Sequence, residues 1–303
     1  MIIQTAPPHQ PHRVIYQTDH AAMSGQFAAA FGNAEFAGLS LAEPLVYVAA
    51  HHDDGWTAVD TRAEQDPNTG LPYHLTQTPL PYLIETSAAS PAANEAYHPY
   101  SGLLSSMHSY GLFHGRYGLS DKIFIDLVPA AHKTAVQTML DGELARQARL
   151  KAILAGHSSA DEGRKTDDGR RWTEDEGRKT DAPSSVLRPP SPMAVLIQDD
   201  VLFHNYKLLQ FFDTLALYFH MTHAAARAES QFANVPRAVG DDVVITITPV
   251  GDNVYQLAPY PFVEKEMAFS YNGRFLTPQP PGTDLAALLA QTPVVVERVT
   301  LIK

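Results

Sequence analysis

The segment His51-His52-Asp53-Asp54-Gly55-Trp56 sets four ionisable side chains at the end of an apolar run, Leu45 to Ala50. Imidazole nitrogen binds Zn, Fe, Mn, Co or Ni, and an adjacent carboxylate can bridge two ions. Buried ionisable groups are costly unless they are paired or ligated, so the cluster reads as part of a metal site. Neighbouring residues of a helix point about 100° apart, so His52 and Asp53 meet at one ion only where the helix lies along the site. Three further candidates have apolar company at helical positions. His20 stands beside Ala21, Ala22 and Met23, and His108 stands among Leu103, Leu104, Met107 and Leu112. Asp213 lies within Leu209-Gln210-Phe211-Phe212-Asp213-Thr214-Leu215, where an unpaired carboxylate is strongly disfavoured.

Helices must position such a set. The first is predicted from Gln17 to Phe31, rich in alanine and stopped by Gly32-Asn33. A second is predicted over Leu41 to Asp54, with Pro44 tolerated in its first turn and Gly55 ending it. Residues 60–78 carry Pro67, Asn68, Gly70 and Pro72 and read as a long loop. Helices are also predicted over Leu80 to Ala88, Tyr100 to Leu112 and Ala130 to Ala155. The pattern from Asp199 to Ala226 is apolar on more than one side, which suits the middle of a bundle.

The period then shortens. Val243 to Thr248 and Val254 to Leu257 flank the turn Gly251-Asp252-Asn253, and Val294 to Ile302 closes the chain as a strand. Asn272-Gly273 reads as a two-residue hairpin turn between Met267 to Tyr271 and Arg274 to Leu276. The expected class is α+β, mainly α: a helical domain over residues 1–235, then a small antiparallel β subdomain over 240–303. Met1 to Arg13, rich in Pro and His, is expected to be extended. Residues 156–186 are polar, and Asp161 to Asp167 recurs as Asp175 to Asp181. A tract of this kind cannot bury a core and is expected to be a disordered insertion.

Composition narrows the chemistry. The chain has 303 residues, 45% of them hydrophobic, which suffices for a sizeable core. It contains no cysteine, so a metal would be held by nitrogen and oxygen alone. A net charge of -11 argues against a broad nucleic-acid surface, and neither a targeting segment nor a membrane span is evident. A cytoplasmic protein is expected. No phosphate-binding glycine loop, Gly-x-Ser-x-Gly or His-Glu-x-x-His is present. Of the 14 histidines, His9, His12, His74, His98 and His157 lie in loops or tails, and His204, His220 and His223 are expected to serve packing.

The order His20, His52-Asp53, His108, Asp213 resembles the H…HD…H…D series of the HD superfamily, helical metal-dependent phosphohydrolases with a side branch of di-iron oxygenases. Nearly the whole chain, the polar insertion apart, resembles the domain of unknown function 3891 family. Asp19-His20, His52 to Trp56, Asn205-Tyr206-Lys207-Leu208-Leu209-Gln210-Phe211-Phe212-Asp213 and Pro259-Tyr260-Pro261-Phe262 carry that likeness. The resemblance implies an HD-like helical bundle with His20, His52, Asp53 and Asp213 around one ion. A second ion would take His108 and either His114 or His132, of which His114 is preferred.

The expected cofactor is one or two divalent ions of Fe, Mn, Zn or Co, and the expected partner is an anionic small molecule. Asp54 is the candidate proton-transfer group and Lys207 the first candidate for holding the anion, ahead of Arg13, Arg116 and Lys122. Asp19 and Asp60 are further carboxylates available to orient the imidazoles. Three functions fit this reading: an HD-type hydrolase first, a di-iron oxygenase second, and a non-catalytic helical protein with a structural metal third. The edge strands of the sheet are a candidate homodimer contact.

Overall fold

Apolar residues at both ends of the chain come together in one sheet. The computed structural model describes residues 1–156, 195 and 197–303. The expected disordered insertion therefore lies outside the described residues, Gly156 excepted. The N-terminal arm is not merely extended, because β1 (Ile2–Ile3) and β2 (His12–Ile15) form one edge of the sheet. After the helices come β3 (Ser230–Ala238), β4 (Asp241–Gly251), β5 (Val254–Ala258), β6 (Glu266–Leu276) and β7 (Val295–Ile302). The strand order is β1-β2-β6-β7-β5-β4-β3. All neighbours are antiparallel except β5 and β7, so the sheet is mixed and not purely antiparallel.

The hairpin expected at Asn272-Gly273 is absent, and β6 runs straight through it. Asn272 and Gly273 pair with Val296 and Val295 of β7, while Arg274 pairs with Val14 of β2. Glycine is required there for close approach: a Cβ on Gly273 would stand 2.6 Å from Cγ of Arg13. A turn and a side-chain crossing favour the same residue.

The helices are α1 (Gln17–Ala30), α2 (Ala42–His51), α3 (Thr57–Arg62), α4 (Leu80–Tyr97) and α5 (Pro99–Phe113). They continue as α6 (Gly115–Gly118), α7 (Ala130–Leu154), α8 (Asp199–Met221) and α9 (Leu285–Gln291). No described helix is long and apolar enough to cross a membrane. α3 takes in only residues 60–62 of the loop expected over 60–78, and a single 3-10 turn at Leu75–Gln77 is the one helical piece in the rest of it. α4 outruns its expected end at Ala88 and passes through Pro91, because Thr86, Ser90 and Asn94 are buried and hold the helix on beyond the missing N–H. α8 ends five residues before the expected Ala226, leaving a short turn at Ala224–Ala226.

α8 is the central rod, with Leu208, Leu209, Phe212, Leu215 and Phe219 all fully buried. α1 and α8 both pack on the sheet, so one core joins the helices to the strands. Phe27 of α1 meets Phe219 of α8, Phe262 and Phe269 at centroid separations of 4.7–6.4 Å. The expected division into a helical domain and a β subdomain is therefore not drawn by the packing, and the boundary at 235 falls inside β3. The structure is mixed α/β around one main core, with two smaller apolar clusters beside it.

Two contacts yield predictions. A Cβ on Gly25 would lie 2.5 Å from Cβ of Ala50, so α1 and α2 touch nearly backbone to backbone. Gly25→Ala is expected to destabilise the fold by about 1–3 kcal/mol in denaturant unfolding, with Ala50→Gly recovering part of the loss in the double variant. His74 Nδ1 accepts the Ile3 N–H at 2.9 Å and so anchors β1. Burial, then the nearby N-terminal charge, lowers its pKa from 6.5 to about 4. The neutral ring favours the folded state, so this contribution is complete above pH 6.5 and lost as pH falls through about 4. Unfolding measured across that window should show the loss in the native chain, and His74→Gln should flatten it.

Candidate metal centre

The end of α2 solves the geometric problem of two adjacent ligands. The helix stops at His51, His52 keeps helical angles (φ -60, ψ -21), and Asp53 leaves them (φ -110, ψ 16). That break turns the Asp53 carboxylate back toward the His52 ring. His52 Nδ1 lies 3.0 Å from the Ala49 carbonyl, which can only accept, so Nδ1 carries the hydrogen and Nε2 carries a lone pair. Nε2 is buried and has no hydrogen-bond partner. It faces Asp53 Oδ2 at 3.6 Å and Asp213 Oδ1 at 3.9 Å, too far for hydrogen bonds. A lone pair facing two carboxylate oxygens at these spacings fits a shared cation, since metal bonds of about 2.1 Å separate ligand atoms by about 3–4 Å.

His20 of α1 completes one group. Its Nε2 is 3.0 Å from Asp213 Oδ1, and its Nδ1 is 2.9 Å from Nδ1 of His220. His20, His52 and Asp213 form one grouping with metal-binding spacing, and His52, Asp53 and His108 form another that shares His52. His108 Nδ1 meets the Gln210 amide at 2.8 Å, while Gln210 Oε1 is buried without a partner. A half-turn of that amide would let Oε1 accept from Nδ1–H and leave His108 Nε2 free to bind.

Burial pushes His108 down to about 3, with only Asp213 opposing, so its ring is neutral. Burial also lowers His220 well below the usual histidine range, with the charge of His20 next. Burial raises the Asp53 carboxyl, opposed by the neighbouring His52 and His20 imidazoles. For Asp213 burial pulls upward, but the His20 hydrogen bond and the nearby histidines outweigh it and hold the carboxyl far below the carboxylate range. The cluster thus sits around a permanent buried negative charge.

Above it opens a cavity of about 870 Å³. Trp56, Leu83, Phe113, Phe124 and Leu217 are among its walls, and Arg116 and Lys122 supply positive charge. Arg116 is presented by an unusual turn: Gly115, Arg116, Tyr117 and Gly118 have φ of 60, 51, 56 and 90. Left-handed backbone at two successive non-glycine residues costs on the order of 1–2 kcal/mol each. Such strain clusters where geometry serves a site, and here it carries the Arg116 guanidinium to 3.7 Å from Asp213 Oδ2.

The fold therefore gathers His20, His52, Asp53, His108 and Asp213, and leaves the other expected residues elsewhere, Arg116 and Lys122 apart. The His114 ring stacks on Tyr110 at 4.2 Å with Nδ1 toward the Tyr110 carbonyl, and it does not line the cavity. His132, on the first turn of α7, is also away from it. Asp54 turns outward to His51 Nδ1 at 2.9 Å, and His51 stacks on Tyr47. Lys207 is bound to Asp242 of β4, because it faces the sheet side of α8. Arg13 pairs with Glu297 of β7. Asp19 holds Asn272, and Asp60 caps the start of α1 through the Gln17 N–H. Gln210 and His220, one without an expected role and one assigned to packing, touch the cluster. Both stand three and seven residues from Asp213, on its own face of the helix.

Fold and site together define a mixed α/β protein built around a buried His/Asp cluster at the floor of an open cavity. The chain belongs to the family described as "Protein of unknown function (DUF3891)", whose model matches residues 1–278. No curated protein and no solved structure matches it.

His52→Ala is expected to lose divalent metal, read by elemental mass spectrometry, while circular dichroism stays native. His114→Ala is expected to keep the wild-type metal content. Equal loss in both variants would disprove this ligand set.

Proposed function

We propose that this chain is a metal-dependent hydrolase acting on a phosphorylated or otherwise anionic small molecule. The observation that carries the reading is the unpartnered His52 Nε2, facing two carboxylates where the cavity reaches its floor. The ligand order, which resembles the HD superfamily, supports it. A divalent ion of Fe, Mn, Zn or Co bound there would supply Lewis acidity and a water of lowered pKa.

The protein's own groups have separable roles. His20, His52 and Asp213 hold the ion, with Asp53 and His108 beside them. Arg116 holds the anion against the negative floor, on a backbone too strained to be incidental. Asp53, its pKa raised by burial, accepts the proton of the attacking water. Trp56 and Phe113 keep bulk solvent from the floor, which strengthens every charge interaction there. A structural metal staple would be closed, whereas these donors meet an open cavity.

A two-iron oxygenase has less support. Its second ion needs more donors, and among the described residues His108 is the one histidine added beyond the first group.

Protein loaded with Mn, Zn, Co or Fe should hydrolyse members of a phosphate-ester panel. Asp213→Asn should lower kcat by about 10²-fold or more, and Arg116→Ala should raise KM by roughly tenfold or more. Absence of hydrolysis with every metal would overturn the reading.

A further inference from the structure

The cavity is much larger than its charged floor requires. At about 870 Å³ it falls in the range that encloses a whole organic molecule, whereas a phosphoryl group needs only the space between Arg116 and the His/Asp cluster. Above that floor the walls change character. Leu83, Phe113, Phe124 and Leu217 offer no charge, and although Ser87, Ser90 and Ser109 also line the cavity, apolar surface predominates, which suits a hydrocarbon better than a polyanion.

The rim carries a second, independent signal. Ile123 and Leu127 line the cavity yet are 47% and 76% exposed, and Leu112 beside them is 39% exposed. Leu127 contributes little to the core at that exposure, while its place at the mouth extends the apolar wall outward. Positive charge sits at the floor in Arg116, and Lys122 is at the rim between the carboxylates Asp121 and Asp126. Electrostatic capture of an anion is thus concentrated at the floor, and apolar contact follows from there to the rim.

We propose that the substrate is an organic phosphate ester with a long apolar body, its phosphate at Arg116 and its hydrocarbon running along Phe113 and Phe124 to Leu127. This rests on the hydrolase reading for the position of the anion, and it adds the nature of the other end of the molecule. Hydrolysis would break the phosphorus–oxygen ester bond, with water supplying hydroxyl to phosphorus and a proton to the departing alcohol. The products are inorganic phosphate and a poorly soluble alcohol.

Binding of n-alkyl phosphonates from ethyl to octyl, measured by calorimetry on the metal-loaded protein, tests the proposal without turnover. Affinity should rise about threefold per methylene until the chain reaches the rim. The double variant Ile123→Asn with Leu127→Asn, at exposed positions the fold does not need, should weaken octyl phosphonate about tenfold and leave ethyl phosphonate within about twofold. Arg116→Gln should weaken every member alike. A flat series, or octylamine binding as well as octyl phosphonate, overturns the proposal while leaving the hydrolase reading standing. Chain-length dependence without hydrolysis of any alkyl phosphate overturns the hydrolase reading alone. No binding at any length overturns both.

Discussion

A carboxylate in the middle of an apolar helix governs this structure. Asp213 is flanked along α8 by buried phenylalanines and leucines, and an ionised group there is tolerated only if charge and hydrogen bonds are brought to it. Three segments do so. His20 comes from α1, His52 from the broken end of α2, and Arg116 from the left-handed turn after α5. Each is held by something unrelated to the carboxylate: the glycine contact between α1 and α2, the Ala49 carbonyl on His52, and the left-handed turn Gly115 to Gly118 that carries Arg116. The charge is satisfied by groups that each have an anchor of their own, which favours a preorganised site.

The same helix also explains why sheet and helices share one core. α8 is apolar on several faces, so it must be covered on all of them. Helices α1, α2 and α5 cover one side, and β3 and the N-terminal strand approach the other. The stripe of Gln210, Asp213, Leu217 and His220 is the exception, since it points into the cluster and the cavity. Lys207, about 100° around the helix from the middle of that stripe, is drawn to Asp242 of β4 instead. One residue step around the helix separates a site group from a structural ion pair.

Much of the site was legible in the residues themselves. Ionisable groups set in apolar runs are costly, so His20, His52, Asp53, His108 and Asp213 stood out, and the structure brings all five together. Gln210 and His220 carried a weaker signal, helical spacing from Asp213, which has meaning only once Asp213 is known to face the cluster. His114 and Asp54 have the right chemistry and the right neighbourhood. Their failure to join is a matter of direction, because α5 ends at Phe113 and the chain after His51 winds a new turn.

By itself the sequence determined which charges needed partners, where the longer helices of the site lie, and that no thiolate could take part, since these depend on residue type and local period. Only the tertiary structure decided the rest. A single chain cannot show that Met1 to Arg13 completes a sheet with residues more than 250 positions away, because strand partners meet through long-range packing and not local preference. Nor can it show that Gly273 is a crossing and not a turn, or that Arg116 and not Lys207 reaches the floor of the cavity. Those outcomes follow from which face each helix buries, and that is set by everything packed around it.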